Sequence, residues 1–447
     1  MKRTANRSNA NQSNFTMSTA PRKYTNGLLS LAAVLLCGMT ASASNAKVAA
    51  EQGFTIAPNV ETGIVLKTAP DAACDLHATG AGDTRSMRFY ANADGYVKLN
   101  ASAREGMESR VQLDCSAKGK SVSYPLHLVA SSTPTSDMPA PLRKIPTVKG
   151  SKVRPGLSEA QAQSMTDEQL EQAGYPARPN VVESPAEYER WVSRVAKPMT
   201  ILPAHMVSRS DITATPKSYT SSNWSGLEGH TTTKHYYSAV TGTWGVPPIL
   251  GASSDGSTDY SAFWVGLDGD GLNDLVQAGT EQDAVEWLGF LFTGYYAWSE
   301  LLPNQPTEQE LFDVDAGDEM EVEVWIGTGS GSPNPNGGYA SYRVTDVTQS
   351  ESTVFYVPLS GTVFNGKEAE WIMERPSLGG SLPELAEYLV ANMEYTTALK
   401  VSTNKWVASG TTSNRNISMY KGKDELSEAL WLGKGSQLIT FFWLNFE

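Results

Sequence analysis

The strongest constraint on the fold lies in the second half of the chain, where short runs of β-branched and aromatic residues alternate with turn residues. From about Asp211 onward, Gly, Asn, Pro and Ser separate these runs, as expected for many short strands joined by turns. We find no repeat of fixed period that would favour a propeller or a solenoid. A segment of about 235 residues is within the size range of single all-β domains, so the pattern predicts a β-sandwich or barrel. Clear examples of the runs are 239–246, 261–266, 319–326, 340–344 and 438–444.

Charge and tryptophan content show that the chain has at least two unlike parts. The 447 residues are 40% hydrophobic and carry a net charge of -13, which favours a soluble globular protein and makes nucleic acid an unfavourable partner. Residues 1–210 hold 24 basic and 17 acidic side chains, a net +7, whereas residues 211–447 hold 11 and 31, a net -20. Ten of the eleven tryptophans also lie after residue 210.

Residues 1–46 have the pattern of a secretory signal peptide. A basic start without acidic residues is followed by the apolar run 27–41, and 41–43 or 44–46 supplies small residues for cleavage. The alternative is an uncleaved membrane anchor, but the run is interrupted and short for a span of about 20 apolar residues. We therefore expect a secreted or periplasmic protein with no membrane attachment after the signal is removed.

Residues 47–133 are predicted to form a small β domain, because short alternating runs are separated by Gly and Asp clusters. Cys37 would leave with the signal peptide. In an oxidising compartment the remaining cysteines, Cys74 and Cys115, are then expected to form one disulfide bond.

Residues 134–210 are predicted to be a basic linker followed by a helical, propeptide-like segment. Prolines and basic residues without an acid dominate 140–156, which favours extended, solvated backbone. Ser and Thr caps and a helical apolar spacing follow in 157–199. The catalytic domain is then expected at 211–447.

Common catalytic motifs are missing from the acidic half. It has no cysteine, no Gly-x-Ser-x-Gly elbow and no His-Glu-x-x-His helix. The phosphate-loop spacing at 361–367 is a chance match, since Glu368 stands where a Ser or Thr is needed. His230 and His235 lie in a polar run that resembles a hairpin loop, so they are poor candidates for a catalytic base. We predict neither a metal site nor a cofactor.

Carboxylates among aromatic residues remain as the candidates for chemistry. Glu370 and Glu374 lie four residues apart on one face of a predicted strand, about 13 Å from each other at strand rise. They are too far apart to act as an acid pair. Glu374 lies where the strand ends at Arg375-Pro376, and an aromatic-lined concave face would raise its pKa into a range suited to acid–base chemistry.

Five ordered motifs between about 215 and 447 resemble those of the eqolisin-type glutamic peptidases, the scytalidoglutamic peptidase family. The order of the motifs makes the resemblance specific, although it covers only about half of the chain. The motifs are Asn223-Trp-Ser-Gly226, Phe263-Trp-Val-Gly-Leu-Asp-Gly-Asp270, Leu275-Val-Gln-Ala-Gly279, Tyr296-Ala-Trp-Ser-Glu-Leu-Leu-Pro303 and Ala369-Glu-Trp-Ile-Met-Glu374.

This resemblance implies a sandwich of two antiparallel sheets, a concanavalin-like jelly roll, with a Gln and a Glu as the catalytic pair. The Gln falls on Gln277 and the Glu on Glu374. One difference is Glu281, which stands where the family has Asp and is followed by an insertion through Phe292. Residues at matching positions that would line the cleft or support the pair are Trp264, Asp268, Trp298 and Glu300, with Glu370 as a further candidate.

The chemistry of such a pair follows from its residue types. Glu374 as a carboxylate can take a proton from water and return it to the leaving amine. Gln277 can donate an amide N–H to the oxyanion, which stabilises the transition state by roughly 3 kcal/mol in comparable sites. Together with the resemblance, this chemistry implies an acid-active endopeptidase that hydrolyses protein or peptide substrates, and we expect the protein to be a monomer. The alternative is a carbohydrate-binding or glycan-cleaving β-sandwich with Glu300 and Glu374 as acid and base.

The segment before the catalytic domain is expected to act as an inhibitor, because a basic propeptide precedes the mature enzyme in the family. The basic residues between Arg143 and Arg154, with the helices that follow, would cover the acidic cleft near neutral pH. They would leave it when carboxylates protonate, around pH 4 for unperturbed groups. The alternative is an exposed linker.

Overall fold

The computed structural model describes residues 47–78, 86–176, 178–182, 185–209, 212–213, 220–253, 256–329, 333–411, 414–431, 433 and 435–444. The predicted signal peptide, 1–46, lies outside these residues. None of the described helices is long and apolar enough to cross a membrane. The domain boundaries given above remain predictions.

The N-terminal part consists of strands, as its alternating pattern predicts. Its own sheet has the order β1–β8–β7–β4–β5, with β2 also paired to β8. Cys74 and Cys115 are directly opposite each other on β4 and β7, and their sulfur atoms are bonded. The strands are β1 (Lys47–Val48), β2 (Gln52–Ile56), β3 (Thr62–Lys67), β4 (Ala73–Ala78), β5 (Met87–Tyr90), β6 (Tyr96–Ala103), β7 (Glu108–Ala117) and β8 (Lys120–Ala130).

The middle segment contains the three α-helices of the described residues. Ser158 and Thr166 cap the first two, and the reciprocal side chains of their capping boxes are Gln161 and Gln169. A small apolar core that includes Leu170 and Trp191 holds the helices together. The elements are β9 (Lys152–Arg154), α1 (Glu159–Ser164), α2 (Asp167–Gln172), α3 (Pro185–Val195), β10 (Met199–Ile201), β11 (Val207–Arg209), β12 (Ile212–Thr213) and β13 (Thr220–Ser221).

The C-terminal part is built from long strands and one 3₁₀ turn. These are β14 (Trp224–His230), β15 (Tyr237–Gly245), β16 (Asp259–Leu267), β17 (Leu275–Trp287), β18 (Phe290–Leu302), β19 (Gln305–Asp313), β20 (Glu319–Gly327), β21 (Tyr339–Asp346), β22 (Glu351–Pro358), β23 (Glu368–Glu374), β24 (Ser377–Leu378), β25 (Val390–Lys400), β26 (Lys405–Ala408), the turn Ser409–Thr411, β27 (Asn414–Lys421), β28 (Asp424–Trp431) and β29 (Ile439–Trp443).

These strands form two sheets, which confirms the predicted all-β sandwich. The first sheet has the order β11–β19–β18–β17–β16–β23–β14–β27, with every pair antiparallel. The second sheet runs β22–β21–β20–β15–β25–β29–β28–β27. Strand β27 joins both, because residues 414–417 pair with β14 and residues 419–421 pair with β28.

The main apolar core lies between the two sheets. Along β16, Phe263, Val265 and Leu267 belong to this core, whereas Ala262 and Trp264 belong to a separate apolar cluster. Side chains of a strand alternate between its two faces. One face of the first sheet therefore lies in the core. The residues at the alternate positions of each strand lie on its second face.

The insertion after Glu281 extends the β17–β18 hairpin and joins it to the N-terminal strands. Residues 290–293 of β18 pair with β6, which in turn pairs with β3. Trp287 and Phe292 lie in one apolar core with residues of the N-terminal sheet, such as Leu113. The insertion thus provides the surface on which the N-terminal part packs.

Removing the disulfide bond is expected to destabilise the N-terminal part. The bond closes a separation of 41 residues, for which loss of the constraint on the unfolded chain corresponds to about 3 to 4 kcal/mol. A Cys74→Ala/Cys115→Ala double variant should therefore unfold at lower guanidinium concentration, as followed by circular dichroism. An unchanged midpoint, with the wild type treated with reductant as control, would contradict this expectation.

Candidate active site

The predicted site residues lie on the face of the first sheet that points away from the main core; we call it the site face. On β23, Ala369, Trp371 and Met373 belong to the core, so the glutamates between them lie on the other side. The same alternation on β17 places Val276 and Ala278 in the core and Gln277 on the site face. Period-two alternation in several adjacent strands therefore produces a continuous polar row among aromatic residues.

Glu374 lies at the end of β23 and is held by two hydrogen bonds. The indole Nε1 of Trp264 donates to one carboxylate oxygen at 2.8 Å, and the amide Nδ2 of Asn223 donates to the other at 3.2 Å. Burial raises the pKa of Glu374 to about 7, although these donors act in the opposite direction. The side chain thus has the fixed orientation and the shifted pKa of an acid–base group.

Gln277 lies on β17 and is oriented by Glu300. Its Nε2 donates to Glu300 Oε2 at 2.6 Å, and the two residues are directly opposite on β17 and β18. The backbone oxygen of Glu300 also accepts a hydrogen bond from Tyr342 at 3.1 Å. The amide nitrogen of Gln277 carries a second hydrogen, which remains for donation to a bound group.

Trp264 connects the positions of the two predicted catalytic residues. Strand β16 separates them in the sheet, with Ala262 opposite Glu374 and Gly266 opposite Gln277. A Cβ atom at Gly266 would lie 2.8 Å from Cζ3 of Trp264 and 3.3 Å from Cβ of Gln277. The indole therefore reaches from the Glu374 carboxylate toward the glutamine, and only a glycine leaves room for it.

Asp268 supports the sheet at a distance from the predicted pair. It has a positive φ of 63° at the end of β16 and accepts hydrogen bonds from the backbone N–H groups of residues 365–368. Burial, followed by the neighbouring Asp274, raises the pKa of Asp268 to about 7. Its role in the structure is to fix the loop that leads into β23.

Trp298 and Glu370 also lie on the site face. Within the described part of the chain, neither forms a hydrogen bond with Glu374. Trp298 belongs to the aromatic cluster with Trp224 and Trp264. Glu370 is fully buried opposite Glu228 of β14 and Gly266 of β16. Both residues therefore line the same face as the predicted pair.

A second group of carboxylates surrounds Arg209, which sequence reasoning did not identify. The guanidinium of Arg209 is 1% exposed and lies 3.3 Å from Asp283 and 3.7 Å from Glu310. It also lies 4.6 Å from the ring centre of Tyr296. Burial raises the pKa of Glu281 well above its ordinary value, and the nearby Glu308 adds to the shift. Glu281, the residue that differs from the family pattern, thus belongs to the surroundings of Arg209.

Two further contributors were only partly visible in the sequence. Asn223 belongs to a motif that carries the family resemblance, yet nothing local shows that its amide reaches Glu374. Arg209 lies within the segment predicted to be propeptide-like, where one arginine among several basic residues has no distinguishing pattern. Their positions depend on pairs that are remote in sequence.

Comparison with known proteins agrees with the family resemblance of the C-terminal part. Residues 222–434 match the model described as Peptidase A4 family. A crystal structure of scytalido-glutamic peptidase with a peptide-based transition-state analogue is 18% identical, with 50% of this chain and 98% of that chain covered and a TM-score of 0.37. Another, with a transition-state analogue inhibitor, is 16% identical over the same shares, with a TM-score of 0.39.

A third similar structure is SCP-B, a member of the eqolisin family, in a complex with the tripeptide Ala-Ile-His. It is 16% identical, with 50% of this chain and 98% of that chain covered and a TM-score of 0.36. The curated proteins contain no match to this sequence.

The buried carboxyls of the first sheet are expected to make the protein most stable in acid. Burial raises the pKa of Glu310 to about 8 and that of Glu368 to about 9. Because these folded-state values lie above the unfolded values near 4.3, the stabilisation is fully present below about pH 4. It is lost as the pH rises through 8 and 9. Thermal unfolding between pH 3.5 and 9.5 should show a falling midpoint on the alkaline side.

Glu368→Gln serves as the matched variant for this pH dependence. It removes an ionisation without changing the size of the side chain, so the loss of stability between pH 7 and 9 should become smaller. A midpoint that rises over this interval in the wild type would contradict the expectation.

Proposed function

Residues 222–434 belong to the Peptidase A4 family of glutamic peptidases, and we propose that the chain is a secreted, acid-active endopeptidase whose catalytic pair is Glu374 and Gln277. The observation that carries this proposal is the placement of both side chains on one face of the first sheet, with Trp264 between them. Water is the nucleophile. The pair therefore needs neither a serine or cysteine nor a catalytic metal.

In this mechanism Glu374 acts first as a base and then as an acid. Its carboxylate takes a proton from the attacking water and returns it to the leaving amine. Gln277, which Glu300 holds at 2.6 Å, donates its free amide hydrogen to the developing oxyanion. Such a donor stabilises the transition state by about 3 kcal/mol.

The pair is closed off from solvent in this conformation. Gln277 is 0% and Glu374 is 2% exposed, so a peptide can reach them only after part of the chain moves. The pKa of Glu374, about 7 because of burial, would also leave it protonated in acid. Opening the site to water removes this burial, lowers the pKa and restores the carboxylate that a base requires.

We infer that the segment 134–210 keeps the site closed, and that Arg209 is its central contact. The predicted cover was the basic stretch 143–154 with the helices after it. In the structure, Arg194 of α3 contacts Glu319 and Glu321 of the second sheet, whereas strand β11 pairs with β19 of the first sheet. The backbone of β12 then pairs with β24, which begins three residues after Glu374.

Acid would release this segment because Arg209 depends on its counter-charges. Its guanidinium is buried, and an arginine left among protonated carboxyls loses the ion pairs that offset its desolvation. Asp283 lies 3.3 Å from it. Protonation of Asp283 therefore favours a state in which Arg209 is in water.

The disulfide bond favours a location outside the cytoplasm. A bond between Cys74 and Cys115 persists in oxidising compartments such as the periplasm or the exterior of the cell. We propose that the enzyme acts there as a monomer on protein or peptide substrates, after the signal peptide has been removed.

Substitution of the pair tests the proposed chemistry. In casein hydrolysis at acid pH, Gln277→Ala should lower kcat by a factor of about 10² to 10³, since one oxyanion donor is lost. Glu374→Gln should abolish turnover, because an amide cannot accept the proton of water. Gln309→Ala is the matched control, since Gln309 lies in the same sheet and, among the described residues, its side chain donates only to residues 307 and 308.

The same assay distinguishes the alternative function. Full proteolysis by Gln277→Ala would refute the Glu/Gln mechanism. Hydrolysis of a glycan that depends on Glu300 and Glu374 but not on Gln277 would instead support the carbohydrate-active alternative.

Substitution of Arg209 tests the proposed inhibition. Arg209→Ala should raise the peptidase activity of the uncleaved chain at neutral pH at least severalfold, because the segment loses its buried contact. Arg194→Ala is the control, since this arginine is also buried against carboxylates but on the second sheet. An equal rise in both variants, or none in Arg209→Ala, would show that Arg209 does not close the site.

A further inference from the structure

A set of charged side chains lies on the site face at the ends of β14 and β23 that are far from Glu374, and the proposed mechanism does not use it. In the pairing of β14 with β23, Glu228 is opposite Glu370 and His230 is opposite Glu368. Asp270 and Arg415 lie beside them. We call this set the β14–β23 cluster; its members are Glu228, His230, Asp270, Glu368, Glu370 and Arg415.

Three donor atoms of the cluster converge on one point. Nδ1 of His230 lies 3.1 Å from Glu228 Oε1 and 2.9 Å from Glu368 Oε1. One ligand atom from each of these three residues lies within 4.8 Å of the other two. A single ring nitrogen carries at most one hydrogen, so it cannot give a full hydrogen bond to both carboxylates.

Several carboxylate oxygens beside this point have no hydrogen-bond partner in the described part of the chain. Glu370 is fully buried and both of its oxygens are unpaired, while Glu228 and Glu368, each 1% exposed, keep one unpaired oxygen. Oε2 of Glu370 lies 3.2 Å from where a Cβ of Gly269 would be, which directs it toward the turn that carries Asp270. Buried and unpaired carboxylate oxygens are costly and call for a positive charge.

Carboxyl groups outnumber cationic groups in the cluster. Four of them face the guanidinium of Arg415, which lies 3.0 Å from Asp270 and 3.2 Å from Glu228. A divalent cation that displaces their protons would offset most of the negative charge that they then carry. The imidazole of His230 is 24% exposed, which gives an ion a route from solvent.

We propose that the β14–β23 cluster binds one divalent transition-metal ion, with Nδ1 of His230 and carboxylate oxygens of Glu228 and Glu368 as ligands. Mixed imidazole and carboxylate donors suit Zn²⁺ and Mn²⁺ better than Ca²⁺, which takes oxygen ligands. Glu370 lies beside these ligands and supplies further negative charge.

The ion would act on the structure and not on the peptide bond. It would link Glu228 and His230 of β14 to Glu368 of β23, at the end of β23 opposite to Glu374. Asp268 and Lys367 are the other charged groups close to the cluster. Because the ligands must be deprotonated, binding belongs to neutral pH and releases protons.

Calorimetry on the full-length protein after dialysis against a chelator tests the site. At pH 7.5, Zn²⁺ or Mn²⁺ should bind at one site per chain with release of protons, and should raise the midpoint of thermal unfolding. At pH 4 the same ions should neither bind nor raise the midpoint. If neither Zn²⁺ nor Mn²⁺ binds at pH 7.5, the proposal is wrong.

Variants identify the ligands. Glu368→Gln and His230→Ala should each weaken binding at least tenfold. Glu368→Gln keeps the size of the side chain and His230 is partly exposed, so both variants should fold. Asp346→Asn is the control, because Asp346 is another buried carboxylate with a raised pKa, on β21 of the second sheet, and it should bind as the wild type does. Wild-type affinity in either cluster variant, or Ca²⁺ binding that His230→Ala leaves unchanged, would refute the assignment.

Discussion

The alternation of side chains in the first sheet is the constraint on which both the core and the site depend. The same strands supply core residues such as Trp371 and Met373 and, one position away, the polar residues of the site face. A shift of one residue in the pairing would exchange the two sets. Close packing between the sheets therefore fixes the position of Glu374 as firmly as its own hydrogen bonds do.

This arrangement buries many carboxyl groups, and the structure compensates for them in three ways. Glu374 accepts hydrogen bonds from Trp264 and Asn223. The group around Glu281 and Asp283 surrounds a single arginine, Arg209. Within the β14–β23 cluster, Arg415 and a histidine face four carboxyl groups, which is the basis of the proposed cation site. The buried acidic groups of this half of the chain thus lie in three separate surroundings: at Glu374, around Arg209 and in the β14–β23 cluster.

The N-terminal part is tied to the same sheet. The insertion from Gln282 to Phe292 lengthens the β17–β18 hairpin, and its far end packs with the N-terminal strands. Strand β11 brings Arg209 to the opposite edge strand, β19. Strand β11 and the N-terminal strands are therefore held on the same sheet that carries Glu374.

The sequence by itself determined the β-sandwich, because aromatic and β-branched runs between turn residues are a local property that burial reinforces. Ordered motifs also gave Gln277 and Glu374 as the predicted catalytic pair, and alternation placed Glu370 on the same face as Glu374. Only the tertiary structure showed that Asn223 binds Glu374, that Asp268 fixes the loop before β23, and that Arg209 and the β14–β23 cluster exist as groups. These contacts join residues 74 to 187 positions apart, and pairing at such separation depends on strand order and register, which a local pattern does not contain.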